Sequence, residues 1–232
     1  MGFLASYTRY FCLPLKLVFL AEQPGTIPGL CLKNMDLVFA THNPNKIKEV
    51  QPLLPPFIRL ITLDSLGCDT DIPETGATLK ENALLKARYV QERYGMPCFA
   101  DDTGLLVSAL DGAPGVHSAR YAGVQKNADD NMNKLLGALQ ANDDRDAYFE
   151  TVIALVLGGE TKFFSGRVNG SISRERSGDH GFGYDPIFIP EGYSKSFASL
   201  SLQEKNLISH RARALRKLIG YLGQLQPDKW QG

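Results

Sequence analysis

The chain has 232 residues, enough for one large domain or two small ones. Hydrophobic residues make up 44% of it and charged residues 22%, a composition that excludes disorder as the main state. Lysine plus arginine and aspartate plus glutamate each number 25, so the net charge is zero. This balance excludes a strongly basic chain that binds nucleic acid over its whole surface.

Cysteine spacing and hydropathy exclude two further classes of protein. The four cysteines (Cys12, Cys31, Cys68 and Cys98) are far apart and form no CxxC or Cys/His cluster. We therefore expect neither a zinc site nor a disulfide framework. We expect a reducing, cytoplasmic location. No apolar run reaches the roughly 18–20 residues that cross a membrane. We expect neither a membrane nor a nucleic acid as a partner.

The first 34 residues differ in pattern from the rest. The apolar stretch 11–21 is interrupted by Pro14 and Lys16, and further prolines and glycines follow it. A secretory signal is one interpretation, but the apolar core is short and no clear cleavage site follows. We favour a poorly ordered extension over 1–34, outside the fold, with Met35 as the working start of a domain over 35–232.

From Met35 onward, short apolar runs alternate with helical patterns. A capping box at Thr78 and Glu81 opens a helix that Gly95 ends. The elements predicted for this half are strands over 36–41, 58–63 and 98–100 and helices over 46–54 and from the capping box to about 94.

The second half is predicted to be richer in long strands. A helix over 129–139 precedes two Val/Phe-rich strands over 147–157 and 162–171, which Gly158-Gly159 joins as a hairpin. A second capping box, Ser201 and Glu204, opens a last helix whose apolar face contains Leu207, Ile208, Leu215, Leu218, Ile219 and Leu222. This order of elements predicts an α/β domain with a mixed sheet.

The turn between the first strand and the first helix is a candidate phosphate site. Free backbone N–H groups and the positive end of a helix dipole favour an anion there, and Lys46 adds a full charge. A helix start with a solvated lysine would have the same sequence, and the P-loop pattern is absent from the chain. The residues of this turn are Thr41, His42, Asn43, Pro44, Asn45 and Lys46.

Asp101 and Asp102 follow an apolar strand and are candidates for holding Mg²⁺ over a phosphate, with Glu74 as another oxygen ligand. Adjacent strand residues point to opposite faces, so the two aspartates can share one site only if the strand has already turned. A pair of surface aspartates that cap a turn is the alternative.

Two later segments could contact a flat ligand. Residues 181–186 read Gly-Phe-Gly-Tyr-Asp-Pro, in which glycines allow close backbone approach and an aromatic ring can stack on a base. A tight turn with core aromatics is the alternative. Lys205, His210 and Arg211 lie on the predicted last helix, where offsets of five and six residues do not share one face. They can reach one ligand only if that helix starts late or lies end-on to the site.

Taken together, these segments resemble the inosine/xanthosine triphosphate pyrophosphatase family over about residues 36–222. Each is weak alone, but their order and spacing are highly specific. His42 stands where the family often has a small residue. The segments are Thr41-x-Asn43-x-x-Lys46, Pro73-Glu74-Thr75-Gly76, Glu81-Asn82-Ala83-Leu84-Leu85-Lys86-Ala87, Ala100-Asp101-Asp102-Thr103-Gly104-Leu105, Gly112-Ala113-Pro114-Gly115 with Ser118-Ala119-Arg120-Tyr121, Gly181-Phe182-Gly183-Tyr184-Asp185-Pro186 and Glu204-Lys205 with Ser209-His210-Arg211.

The resemblance implies an elongated α/β domain with two lobes, a central mixed sheet flanked by helices, a cleft between the lobes and a homodimeric state. It implies Mg²⁺-dependent hydrolysis of ITP, dITP and XTP to the monophosphate and pyrophosphate. Glu74 and Asp102 would bind Mg²⁺, with Asp102 also the base for the attacking water. Lys46 and Lys86 would act on the phosphates. The residues implied to contact the nucleotide are Thr41 to Lys46, Thr103, Phe182, Gly183, Tyr184, Asp185, Lys205, His210 and Arg211.

Two other functions remain open at this point. A pyrophosphatase of similar architecture could act on other modified nucleotides, such as pyrimidines. A nucleotide- or RNA-binding module without turnover is less favoured, because pure binding does not require a set of carboxylates and lysines around Mg²⁺.

Overall fold

The computed structural model describes residues 34–225, so the expectations for residues 1–33 lie outside the described part of the chain. The strands are β1 (Met35–Phe39), β2 (Ile58–Thr62), β3 (Cys98–Val107), β4 (Pro114–Gly115), β5 (Asp146–Leu157), β6 (Glu160–Ile172) and β7 (Phe188–Pro190). The α-helices are α1 (Pro44–Val50), α2 (Leu79–Tyr94), α3 (Ala128–Ala138), α4 (Leu202–Ile208) and α5 (His210–Leu222). Over 34–225, no helix is long and apolar enough to span a bilayer.

The strands form one mixed sheet in the order β2-β1-β3-β5-β6-β7, and β4 pairs with β3 beside this path. β1 is parallel to both β2 and β3, whereas all other pairs are antiparallel. The expected hairpin is confirmed: Gly158 and Gly159 join β5 to β6 with φ of +55° and +80°, values that favour glycine. The predicted mixed α/β sheet is therefore confirmed.

Strand periodicity divides the first part of the sheet between two apolar cores. Leu37 and Phe39 of β1 face α5, whereas Val38 and the following Ala40 face α2. β3 and β5 repeat this alternation, so helices cover both faces, as expected where parallel strands are present. A third core packs the far half of β3 and β5 against α3 and the segment after β7.

The longer helix of the first half forms as predicted. Thr78 accepts a hydrogen bond from the Glu81 N–H while the Glu81 side chain bonds back to the cap, and Gly95 ends the helix with φ of +65°. The first helix begins two residues earlier than predicted, at Pro44, because the Asn43 side chain caps it and proline suits the first helical position. After Val50 the chain tightens into a 3₁₀ turn over Gln51–Leu53.

The prediction that the third strand ends at Ala100 is wrong, since β3 continues to Val107. Its pairing with β1 stops at Phe99, but its pairing with β5 runs along the whole strand. Asp101 and Asp102 therefore lie inside a strand, on an edge that β1 no longer covers. The chemistry expected at a strand end is available there because the neighbouring strand has ended.

The prediction of one continuous last helix is also wrong. Ser209 has an extended conformation, with φ of −64° and ψ of 154°; it ends α4 and its hydroxyl caps α5 by accepting from the Ala212 N–H. Leu207, placed by periodicity on the buried face, is 73% exposed, because the break changes the helix direction. Leu215, Leu218 and Leu222 are fully buried as predicted.

Candidate active site

A pocket of about 440 Å³ opens where β1 ends and β3 continues. It brings together the predicted site residues from six separate segments; of these, only Pro44 does not line it. It also contains Asp71, Lys126, Asn131 and Phe149, which the sequence motifs do not include. The predicted residues in its wall are Thr41, His42, Asn43, Asn45, Lys46, Glu74, Lys86, Asp102, Thr103, Phe182, Gly183, Tyr184, Asp185, Lys205, His210 and Arg211.

The turn after β1 is shaped by its own side chains. The Asn43 side chain accepts from the N–H groups of Asn45 (2.9 Å) and Lys46 (3.4 Å), and the Thr41 hydroxyl accepts from the Asn43 N–H (3.2 Å). His42 Nε2 lies 3.0 Å from the Thr70 carbonyl oxygen. The turn is thus fixed at the start of α1, where the helix dipole favours an anion.

Two carboxylates of the pocket accept hydrogen bonds from the same lysine. Lys86 Nζ donates to Glu74 Oε1 (2.7 Å) and to Asp102 Oδ1 (3.4 Å), and Asn82 Nδ2 donates to Asp102 Oδ2 (3.2 Å). Burial raises the pKa of Asp102, and the nearby Lys86 and Lys46 charges do not fully offset this. Burial also acts upward on the pKa of Glu74, but Lys86, Lys46 and Lys126 bring it below its ordinary value.

Asp101 and Asp102 point to different partners, as strand geometry predicted. Asp101 accepts from Lys46 Nζ (2.8 Å) and Arg211 Nε (2.8 Å). Burial opposes ionisation of Asp101, but Lys46 and Arg211 hold its pKa far below the ordinary value, so it is a carboxylate. Thr103, on the same face, accepts from Arg211 Nη2 at 3.0 Å.

Glu49 on α1, which the sequence analysis missed, does not line the pocket but pairs with two of its cations, Lys205 and Arg211. Its carboxylate is 4% exposed and accepts from Lys205 Nζ (2.6 Å) and from the Arg211 guanidinium. Burial pushes its pKa up, but Arg211 and Lys205 bring it below its ordinary value. The signal was its spacing: Glu49 lies three residues after Lys46, on the same helix face, so an inward Lys46 implies an inward Glu49.

The glycine-aromatic loop closes one end of the pocket. Gly181 and Gly183 have φ of +74° and +64°, and the Asp185 carboxylate accepts from the Phe182 N–H at 2.8 Å. The Phe182 ring centroid lies 5.1 Å from Lys205 Nζ, within cation–π range. Tyr184 is 5% exposed and donates its hydroxyl to the Ser118 carbonyl. Both aromatics of the motif line the pocket: Phe182 lies beside a cation, and Tyr184 anchors the loop through its bond to Ser118.

His210 is buried at the first position of α5 and stacks on Phe149, with ring centroids 4.6 Å apart. Burial, reinforced by Arg211 and Lys205, lowers its pKa well below the usual range, so the ring is neutral. Its Nδ1 has no hydrogen-bond partner within the described structure. A buried ring nitrogen without a partner is costly unless a ligand supplies one.

The helix break at Ser209 explains how Lys205, His210 and Arg211 share one pocket. Lys205 lies in the last turn of α4, whereas His210 and Arg211 begin α5. The helix after Ser201 does not start late, but its break at Ser209 puts Lys205 and the pair His210 and Arg211 on two helices, so offsets of five and six residues no longer prevent convergence.

The pocket does not contain a ready cage for a metal ion. Among residues 34–225, no three His, Cys, Asp or Glu side chains are arranged together as a metal site. Glu74 and Asp102 offer two carboxylates, which is the protein contribution typical of Mg²⁺ sites completed by phosphate oxygens and water. The donor set therefore fits Mg²⁺ bound together with a phosphate ligand.

A charged pocket beyond the ends of parallel strands is the arrangement of α/β proteins that bind small anionic ligands. Comparison with known proteins identifies the family within this class. Residues 37–221 match the model of the Ham1 family, and on this match and the relatives described next the chain belongs to the Ham1 family. The family resemblance inferred from the motifs is confirmed.

Named relatives are similar over nearly their whole length. The dITP/XTP pyrophosphatase of Flavobacterium johnsoniae is 55% identical over 188 residues, covering 81% of this chain and 98% of the relative. That of Porphyromonas gingivalis is 54% identical over 187 residues, covering 80% and 96%. Among solved structures, a HAM1 protein from Coxiella burnetii has 42% identity and a TM-score of 0.76, covering 82% of this chain and all of that one.

Proposed function

We propose that this protein hydrolyses the noncanonical purine nucleoside triphosphates ITP, dITP and XTP to the monophosphate and pyrophosphate, and so removes deaminated purines from the nucleotide pool. The supporting observation is one pocket that combines an anion-favouring helix start, two carboxylates on one lysine and an aromatic ring beside a cation. Relatives more than 50% identical are named dITP/XTP pyrophosphatases.

The charge of the pocket supports Mg²⁺ as the cofactor, held by Glu74 and Asp102. The ion-pair network of the pocket has five cationic side chains against five carboxylates, so its charges cancel and none is to spare for a triphosphate. Mg²⁺, when bound, would supply that charge and polarise the phosphate oxygens. The cations are Lys46, Lys86, Arg120, Lys205 and Arg211, and the carboxylates are Glu49, Glu74, Asp101, Asp102 and Asp185.

The proposed reaction is attack of water on the α-phosphorus, in line with the leaving pyrophosphate. Asp102, whose pKa is raised by burial, accepts the proton from this water. Lys46 and Lys86 stabilise the charge that develops on the phosphate oxygens. No covalent intermediate on the enzyme is required, since phosphoryl transfer depends mainly on positioning and electrostatic stabilisation.

We propose that Phe182, His210 and Arg211 select the base. Phe182 offers a face for stacking, and neutral His210 has a free Nδ1. Hypoxanthine and xanthine have an acceptor at C6 and a donor at N1, and adenine has the reverse pattern. Adenine would leave polar groups of the pocket unpaired, which discriminates by roughly 10²–10⁵. Guanine shares the keto group, so its 2-amino group must be rejected.

The test is pyrophosphate release from ITP, dITP, XTP, GTP and ATP, with and without Mg²⁺. We expect release from the first three only, and only with the metal. A kcat/KM for ATP comparable to that for ITP would contradict the base choice. Preference for a modified pyrimidine would favour the alternative pyrophosphatase, and binding of ITP without release would favour a binding module.

We further propose a cytoplasmic homodimer. Cys68 and Cys98, the two cysteines in the described part, are buried free thiols, which supports a reducing compartment. The dimer rests on the family resemblance. Light scattering of the purified protein should give twice the monomer mass, and a mass that stays monomeric at high concentration would contradict it.

A further inference from the structure

Lys126 lines the same pocket but lies outside every motif that carries the family resemblance. It precedes Asn127, the cap of α3, and its φ of +54° is in the left-handed region that side chains other than glycine rarely adopt. A hydrogen bond from the Lys126 N–H to the Gly123 carbonyl (3.3 Å) holds this turn. The lysine therefore lies in a tight turn at the pocket wall.

The partner of Lys126 differs from those of the inner cations. Lys126 Nζ is 3.6 Å from Asp71 Oδ2, and the two side chains are 51% and 88% exposed. Lys46, Lys205 and Arg211 instead bond carboxylates that are at most 5% exposed. Exposed ion pairs contribute little to stability and exchange partners easily.

The position of Lys126 indicates which part of a ligand it would meet. Its charge acts on Glu74 together with the charges of Lys86 and Lys46. Lys86 bonds Glu74 and Asp102, the two carboxylates at the proposed phosphate end, and Lys126 lines the same pocket as all three. A terminal phosphate carries about −1.5 to −2 charges near pH 7, more than the single charge of Asp71.

We propose that Lys126 is a further substrate-binding residue. It breaks its ion pair with Asp71 and binds the terminal phosphates of the nucleotide and, after the reaction, the released pyrophosphate. This inference rests on the proposed function and adds the leaving-group end of the site. In the protein without ligand, Asp71 holds the Lys126 side chain near the pocket, and it competes with the phosphate for that side chain.

The first test is Lys126→Ala, with Lys162→Ala as a matched control. Lys162 is 3.5 Å from Glu160, and these side chains are 48% and 69% exposed, but the pair lies on the β5–β6 hairpin outside the pocket wall. For Lys126→Ala we expect a KM for ITP and an inhibition constant for pyrophosphate that are both raised about 5- to 10-fold, in line with a partly exposed charge-assisted hydrogen bond. The kcat and inhibition by IMP should stay within twofold of wild type, and the control should change nothing.

The second test separates ligand binding from a structural clasp. Asp71→Asn should lower the KM and the pyrophosphate inhibition constant about two- to threefold, because Lys126 loses its competitor. The double variant should match Lys126→Ala. The proposal is overturned if Asp71→Asn weakens binding as Lys126→Ala does. It is also overturned if adding Asp71→Asn to Lys126→Ala lowers the KM.

The two proposals fail in different ways. If wild type releases pyrophosphate from ITP but Lys126→Ala has unchanged kinetics, the role of Lys126 is wrong and the proposed function stands. If wild type does not turn over ITP, the proposed function fails; calorimetry with inorganic pyrophosphate then still tests Lys126, and equal affinities for wild type and Lys126→Ala overturn its role.

Discussion

At the scale of single residues, ion pairing decides the roles of the two adjacent aspartates, since both are buried. Asp101 is held as a carboxylate by two cations, so its charge is committed to positioning them. Asp102 has one weak bond to a lysine and a raised pKa, so it is better suited to accept a proton. One sheet edge thus gives neighbouring residues of the same type two different environments.

Asp102→Asn should abolish most turnover while the fold persists. Asparagine keeps the shape of the side chain but loses the charge, and such a loss in a catalytic group typically costs at least ~10²-fold in rate. Pyrophosphate release from ITP measures the rate, and circular dichroism measures the fold. Asp146→Asn, at an exposed strand end, is the control. Retention of more than about a tenth of wild-type activity would show that Asp102 is not the base.

Glu49→Gln should destabilise the protein by about 3 kcal/mol, because Lys205 and Arg211 would remain buried with one countercharge fewer. Urea unfolding gives the free energy of unfolding. Glu92→Gln makes the same chemical change on an exposed face of α2 and should lie within about 0.5 kcal/mol of wild type. Equal stabilities of the two variants would mean that Glu49 does not balance these cations.

His210 predicts a pH dependence of stability. The pKa of His210 in the folded protein lies well below the usual value of about 6.5. Below pH 6.5 the imidazole is therefore protonated in the unfolded chain but stays neutral in the folded protein. The contribution of His210 to the free energy of unfolding should therefore fall by about 1 kcal/mol between pH 7.5 and 5.5. His210→Phe keeps the stack on Phe149 and should remove this part of the pH dependence. Parallel pH profiles for wild type and variant would contradict it.

At the scale of elements, close packing of α5 on the sheet sets the direction of the site cations. A Cβ built on Gly166 of β6 would lie well under 3.0 Å from the His210 carbonyl oxygen and the Ala214 nitrogen. Backbone atoms at both contacts belong to the helix that positions His210 and Arg211. The glycine is therefore needed for the approach of the helix rather than for strand conformation.

Gly166→Ala should destabilise the protein by about 1–3 kcal/mol and lower kcat/KM for ITP, because the start of α5 must move away from β6. Gly137→Ala is a control of opposite sign. Gly137 is inside α3 with open space around its Cβ position, so alanine should stabilise by about 0.5–1 kcal/mol without affecting kinetics. Thermal unfolding of both variants gives the comparison, and two shifts of the same sign would contradict it.

At the scale of the whole molecule, the described cores are built from residues between Met35 and Leu225. The pocket residues lie within the same range. The match to the Ham1 family spans residues 37–221, so we expect the fold and the proposed chemistry not to depend on residues 1–34.

A chain that begins at Met35 should melt within a few degrees of the full chain and hydrolyse ITP at the same rate. For a domain of this size, a loss of 1 kcal/mol lowers the melting temperature by about 2–4 °C. Calorimetry and pyrophosphate release from ITP measure both properties. Precipitation of the shortened chain, or a much lower melting temperature, would show that residues 1–34 pack on the domain.

The sequence alone determined the type of most elements, because the signals are local. Capping boxes at Thr78 and Ser201, the Gly158-Gly159 turn and strand alternation depend on residues within a few positions of one another. The site residues that the motifs named lie together in the pocket wall, except for Pro44, but the wall also contains Asp71, Lys126, Asn131 and Phe149, which no motif includes. Residue type and spacing are enough where chemistry depends on short stretches of chain.

Only the tertiary structure decided how far β3 runs, where the last helix breaks and what balances the buried cations. β3 passes Ala100 because β5 pairs with it, and periodicity cannot show a partner 50 residues away. The roles of Glu49 and Lys126 depend on contacts with Arg211 and Asp71, which are distant in the chain. Burial and ion pairing arise from the packing of separate segments, so no local pattern encodes them.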